Sequence, residues 1–189
     1  MKPRSRLPLL LLLALAAAAP AGTPVAAHAP EPRGYWLGPV HGPVPASIAG
    51  GTVIGTPALA RLVRQGGIVL VDVAEATRRP SGLPPGTLWV PVPHRDIPGS
   101  VWIPDAGRGV IRPELAAYFR AQLATLTGGD RGRLVVIYCH PHCWMSWNAA
   151  KRAISYGYRR IAWYPGGMEA WRKAGYPTTI APPEGPDAR

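Results

Sequence analysis

A chain of 189 residues is long enough for one domain with additional segments, and a hydrophobic fraction of 47% is ordinary for a globular core. The formal net charge is +11, but the arginines are scattered rather than striped, which argues against nucleic acid and for a cationic surface that attracts anionic substrates or an acidic partner. The 24 Pro and 22 Gly imply long irregular connections, and the lack of any CxxCH excludes covalent c-type haem.

Lys2, Arg4 and Arg6 precede the apolar run Leu7 to Ala19, and small residues follow. This is the three-part pattern of a secretory signal peptide, too short and too Ala-rich for a stable membrane span. Residues 1–27 are therefore expected to be removed, with Ala27 favoured over Ala21 and Ala29 as the cleavage position. Losing three cations leaves about +8 on an exported chain. Residues 28–50 are rich in Pro and Gly and read as an extended arm, which Tyr35-Trp36-Leu37 can anchor on the body.

Residues 51–180 carry the regular elements. Thr52-Val53-Ile54 is a short strand candidate. Thr56 is the expected N-cap of a helix with Pro57 at its first position, and Leu59, Leu62 and Val63 have helical spacing. Ile68 to Val73 is a nearly continuous β-branched run, as suits a central parallel strand buried on both faces. Arg78 to Pro93 has no period and reads as a loop excursion; Ile97 to Ser100 is a turn, and Val101-Trp102-Ile103 a short strand. Pro113 opens a helix that places Leu115, Phe119, Leu123 and Leu126 on one face. Leu134 to Tyr138 is a second buried strand. In the helix after it, Trp147, Ala150, Ala153 and Ile154 share one face, and Asn148, Lys151, Arg152 and Ser155 the other. Ile161-Ala162-Trp163 is a last short strand, and Gly166-Gly167 leads into a helix through Trp171. Residues 181–189 read as a loose tail. Strand and helix in this rhythm predict a single α/β domain with a parallel sheet, whose active site lies at the carboxyl ends of the strands.

Both cysteines fall at one such end. Cys139 leaves the second buried strand, among backbone N–H groups near a helix start, where a thiolate is favoured. It is the expected nucleophile, able to attack a sulfane donor or a disulfide, with Cys143 close enough to resolve the product. A buried inert thiol or a static disulfide are the structural alternatives, but a bridge across so small a loop removes little chain entropy. His140 and His142 are expected to adjust the thiol and supply positive charge. They form an anion- or substrate-binding segment with Pro141, Trp144, Met145 and Ser146, in which Trp144 and Trp147 serve first as packing. Cys139, His140, His142 and Cys143 also offer ligands to Cu(I) or zinc, though at a spacing that is not standard for zinc; no cofactor is expected. A cysteine phosphatase needs an Arg six residues after its Cys, and Met145 stands there.

With these residues in view, the chain from about Thr52 to Thr178 resembles the rhodanese-like family. Leu70-Val71-Asp72-Val73 is similar to its central strand, and Asp96-Ile97-Pro98-Gly99-Ser100 to its turn, with Asp96 where that family usually has His. Gly157 to Ile161, Gly166 to Trp171 and Gly175-Tyr176-Pro177 match its C-terminal pattern almost residue by residue. The resemblance implies a five-stranded parallel sheet flanked by helices, with Cys139 in the persulfide-bearing position. The usual loop Gly and Arg are replaced by His142 and Trp144. Cys143-Trp144 through Ala153, Ile97 to Trp102 and Ala162 to Pro165 resemble more closely the PQQ-dependent catabolism-associated CXXCW motif proteins. That likeness implies a periplasmic protein accompanying quinone-dependent alcohol oxidation, acting on a small sulfur-containing or thiol substrate, and a component of a PQQ-dehydrogenase system as partner. Two functions follow from these residues: a sulfur-transfer or thiol-redox protein using Cys139 and Cys143, or a non-catalytic module that binds a soft metal or docks a partner on an inactive rhodanese fold.

Overall fold

Val69–Asp72 (β2) and Val135–Tyr138 (β5) are the two β-branched runs, and they lie side by side in parallel, Leu70 opposite Val136 and Asp72 opposite Tyr138. Both strands are buried over their whole length, as continuous apolar runs require. The computed structural model describes residues 28–186; the expected signal peptide at 1–27 and the last three residues of the expected tail lie outside the described residues.

The remaining elements, in chain order, are β1 (Thr52–Val53), α1 (Thr56–Gln65), β3 (Arg95–Asp96), β4 (Ser100–Trp102), α2 (Pro113–Thr127), α3 (Trp144–Ser155), β6 (Ile161–Tyr164), α4 (Gly167–Lys173) and β7 (Thr179–Ile180). Five strands form one parallel sheet in the order β1-β6-β5-β2-β4. Because side chains alternate along a strand, the sheet feeds two cores. Val69, Val71, Val135 and Ile137 pack with Phe119 and Leu123 of α2 and Trp147 and Ala150 of α3. Leu70, Val136 and Tyr138 pack on the other side with Leu59 of α1 and with Met168 and Trp171 of α4. Each such fully buried aliphatic side chain contributes about 1.5–3 kcal/mol. None of the helices among the described residues is long and apolar enough to cross a membrane.

Four local features go beyond the sequence reading. Thr56 is the first helical residue and Gly55 the cap, because the Thr56 hydroxyl is engaged by Tyr164 Oη at 2.7 Å. Arg95–Asp96, between the loop excursion and the turn, pair antiparallel with Thr179–Ile180 in a second, two-stranded sheet. Residues 181–186 are tied down rather than loose: the Glu184 amide donates to the Trp102 carbonyl at 2.8 Å, and its carboxylate accepts from Gln122 Nε2 at 2.8 Å.

The fourth feature sets up the site. The polar side of α3 is where the 28–50 arm docks. Asn148 Oδ1 accepts from the Trp36 amide at 2.8 Å, and Asn148 Nδ2 donates to the Trp36 carbonyl at 3.0 Å. Lys151 Nζ donates to the Pro32 carbonyl at 3.1 Å, and the Arg152 guanidinium lies 4.3 Å from the centre of the Tyr35 ring. Of the expected Tyr35-Trp36-Leu37 anchor, Tyr35 and Trp36 pack, while Leu37 stays 73% exposed.

Candidate active site: a cysteine loop under a strap

Cys139 follows the last residue of β5, and Cys143 caps the N-terminus of α3, so the five residues 139–143 make the whole strand-to-helix turn. The turn is tight enough to put His142 at φ 54°, a left-handed backbone that costs a non-glycine residue of order 1 kcal/mol. Two carbonyls are pinned from outside. The Met168 amide donates to the Cys139 carbonyl at 3.0 Å, and the Gly42 amide to the His142 carbonyl at 2.8 Å. Gly167 makes the first contact possible, since a Cβ there would stand 2.4 Å from the Cys139 oxygen.

The arm crosses this turn as a short antiparallel strap. His41 bridges to Cys143, and the Trp144 amide donates to the Val40 carbonyl at 2.8 Å. One of the amides at the start of α3 is thereby satisfied by the arm. Trp36 then lies flat on Trp144, ring centroids 4.4 Å apart. Both sulfur-bearing residues are enclosed, Cys139 at 0% and Cys143 at 1% exposure, and both are free thiols.

The two thiols differ in chemistry. Burial pushes the Cys139 thiol well above its ordinary range, and its hydrogen bond to Cys143 raises it further. Cys143 is lowered to about 7, first by the hydrogen bond that Cys139 gives it, against the opposing effect of burial, and then by the backbone amides of Met145 and His140. Cys143 is thus the lower of the two thiols, beside the Cys139 that the sequence reading expects as nucleophile. It is also the residue at the helix N-cap, since α3 begins at Trp144.

Other expected loop residues separate into two groups. Pro141 and His142 reach a cavity of about 830 Å3 between the arm, the loop tip and the start of α4, with Pro43, Val44, Pro165 and Glu169 on its walls. His140 Nδ1 lies 2.8 Å from Glu169 Oε1. Trp144, Met145 and Ser146 face inward instead. The Ser146 hydroxyl accepts from Trp163 Nε1 at 2.9 Å and donates to the Cys143 carbonyl at 3.2 Å, and the Met145 carbonyl sits where a Cβ on Gly107 would be. Neither sulfur lines the cavity. Among the described residues, the His, Cys, Asp and Glu side chains that converge as a ligand set are Asp72, His94 and Asp96; Cys139, His140, His142 and Cys143 are not such a set.

Glu75 and its partner His41 carry no motif that singles them out in the sequence. Glu75 follows β2 and accepts from His41 Nε2 of the arm at 3.1 Å. Burial works against its carboxylate, but the hydrogen bond and charge of His41, with the charge of His140, hold it below the usual range. Its Oε2 is buried with no hydrogen-bond partner, and its charge acts on Cys143. The adjacency of the β2 and β5 carboxyl ends is the signal that points to Glu75.

A family model described as Rhodanese-like domain matches residues 56–174. Among solved structures, YnjE is similar at a TM-score of 0.50 and 17% identity, over 71% of this chain and 32% of that one. The polysulfide-sulfur transferase homodimer of Wolinella succinogenes is similar at a TM-score of 0.43 and 21% identity, over 69% and 80% of the two chains. SseA of Escherichia coli, a 3-mercaptopyruvate sulfotransferase, is similar at 0.47 and 16% identity, over 71% and 54%. No curated protein sequence matches the chain.

Proposed function

The chain belongs to the rhodanese-like domain family, and from that footing we propose that its Cys139–Cys143 pair exchanges with, or takes sulfur from, a small sulfur-containing or thiol substrate. The observation that carries this proposal is the placement of two free thiols in one strand-to-helix turn at the carboxyl edge of the sheet, Cys143 at the helix start and Cys139 buried behind it with its Sγ 3.6 Å from the Cys143 carbonyl oxygen.

Cys143 is the attacking group. Its thiolate opens a substrate disulfide, forming Cys143–S–S–R while the first thiolate leaves and takes a proton. Cys139 then loses its proton and attacks the Cys143 sulfur, forming the Cys139–Cys143 disulfide and releasing the second thiol. Two electrons pass from the protein pair to the substrate. With a sulfane donor, the Cys143 thiolate attacks the outer sulfur and becomes a persulfide while the rest of the donor leaves as its anion; attack of Cys139 on the Cys143 sulfur then closes the same disulfide and releases hydrosulfide. The basic signal-like start, Lys2 to Ala19, supports export to the periplasm. The likeness of Cys143 to Ala153 to the CXXCW motif proteins supports a role beside PQQ-dependent alcohol catabolism, with a dehydrogenase-system component as partner.

Intact mass with thiol labelling, before and after incubation with a sulfane donor or a low-molecular-weight disulfide, tests the proposal. A gain of one sulfur, or loss of both labelling sites with a loss of two hydrogens, is expected. Unchanged transferase and reductase activity in both Cys139→Ser and Cys143→Ser ends it. A second function is favoured by the strap itself, which leaves 0% and 1% exposure at the thiols beside a largely apolar-walled cavity: a module that docks a partner without turnover. Tight partner binding that survives Cys143→Ser identifies that case.

A further inference from the structure

Outside the thiol loop, three side chains at the carboxyl edge of the sheet turn their donor atoms toward one another. Asp72 ends β2, Asp96 lies on β3, and His94 closes the long loop between them. We propose that Asp72, His94 and Asp96 bind a divalent transition-metal ion of the zinc class. The site uses neither cysteine as a ligand.

The geometry is that of a ligand set. One donor atom from each residue lies within 4.8 Å of the others, and His94 Nε2 is 2.8 Å from Asp72 Oδ2 and 3.0 Å from Asp96 Oδ1. Donors about 2 Å from a tetrahedral zinc stand about 3.3 Å apart, so the two His94 contacts need to open by only a few tenths of an ångström, with Asp72 and Asp96 already within 4.8 Å of each other. One nitrogen and two carboxylate oxygens suit zinc and its neighbours better than Ca2+ or Mg2+, which require six or more oxygens. Three protein donors leave a fourth position open.

The second observation is Asp96. Its side chain is 0% exposed, yet neither carboxylate oxygen has an aligned hydrogen-bond partner, although Oδ1 stands 3.0 Å from the imidazole. His94 Nε2 carries at most one hydrogen and it is aligned on Asp72. Two enclosed carboxylates share one imidazole, and burial with Asp96 alongside pushes the Asp72 carboxyl up to about 7, so the site takes a proton or a cation to balance its charge. A dication touching both makes the site neutral and gives Asp96 its partner.

The ligands are also held from behind, as metal ligands are. Asp72 Oδ1 accepts the Ala74 amide at 2.8 Å, which leaves Oδ2 for the ion. The His94 ring is stacked on Trp102, centroids 3.8 Å apart and 16° from parallel, and Trp102 Nε1 is fixed on the Ala74 carbonyl at 2.8 Å. The His94 side chain is 14% exposed, so the imidazole edge offers an entry path.

The test is titration of the chelator-treated full chain with Zn(II), followed by calorimetry, and with Co(II), followed by its visible spectrum. One equivalent is expected to bind, with a tetrahedral Co(II) spectrum that lacks a sulfur-to-metal charge-transfer band. Asp96→Asn and, separately, His94→Gln each weaken binding by roughly tenfold or more, while the Cys139→Ser, Cys143→Ser double variant retains it. A Zn-dependent rise in melting temperature present in the parent and missing in Asp96→Asn supports the same site in a folded protein. Binding weaker than about 1 mM, or binding that is lost with the cysteines and kept by Asp96→Asn, overturns the proposal. The trio is then a shared-proton ion pair.

Discussion

Trp36 of the arm lies flat on Trp144 of α3, ring centroids 4.4 Å apart and planes 12° from parallel, one residue beyond the cysteine that caps the helix. The stack couples arm docking to thiol access, since the same arm bridges His41 to Cys143. Trp36→Ala is expected to destabilise the fold by roughly 2 kcal/mol through lost area and stacking. It should also raise the rate of Cys143 alkylation well beyond what global unfolding allows. Denaturant melts and timed alkylation under native conditions measure the two effects; equal alkylation rates would show that the arm does not control access.

The thiol pair should titrate asymmetrically. Cys143 is lowered from 9.0 to about 7, so its alkylation rate should rise through a midpoint near neutrality while Cys139 stays protonated. Apparent midpoints belong to the coupled pair. Removing the donor, Cys139→Ala, should move the midpoint upward toward the ordinary thiol value. For stability the sign follows from the lowered folded value: the Cys143 contribution is complete above pH 9 and is lost as pH falls through 7. A midpoint that ignores Cys139→Ala sinks the coupling.

Glu75 should act in the opposite direction. Its carboxylate raises the Cys143 thiol, so Glu75→Gln should lower the alkylation midpoint and speed the reaction at pH 6. The same change removes the charge facing His41, 3.1 Å away, and loosens one tie of the arm. Combining it with Trp36→Ala separates the effects: the midpoint shift persists and the access effect does not add.

Gly167→Ala should disturb the loop from beneath. The position has φ 58°, and a Cβ would meet the Cys139 oxygen at 2.4 Å and the His140 carbonyl carbon at 2.7 Å. A loss of about 2–4 kcal/mol is expected, with retention of the sheet. Circular dichroism and denaturant unfolding read it directly; a neutral Gly167→Ala would mean that the α4 start yields freely.

The sheet was legible because its information is local: Ile68 to Val73, interrupted by Asp72 alone, and Leu134 to Tyr138 are apolar runs, and Gly166-Gly167 announces α4. The position of Cys139 at a strand end was legible for the same reason. The strap was not. Asn148, Lys151 and Arg152 look like any polar helix face, and only the docked arm shows that they receive Trp36, Pro32 and Tyr35. The loop that joins β5 to α3 was legible from its apolar lead-in, whereas the unequal environments of its two sulfurs depend on hydrogen bonds and burial that only the folded turn supplies. Glu75 and His94 were missed because their partners, His41 and Asp72, lie 34 and 22 residues away.

The Trp36 and Asn148 contacts join positions 112 residues apart. Such distant closures come late in folding, since their loop entropy must be met before any contact rewards it. The sheet closes over a similar span, Thr52 pairing with Ala162. If the arm docks after that closure, the turn that carries both cysteines stands uncovered until then, and a redox state set in that interval is sealed in when the strap arrives.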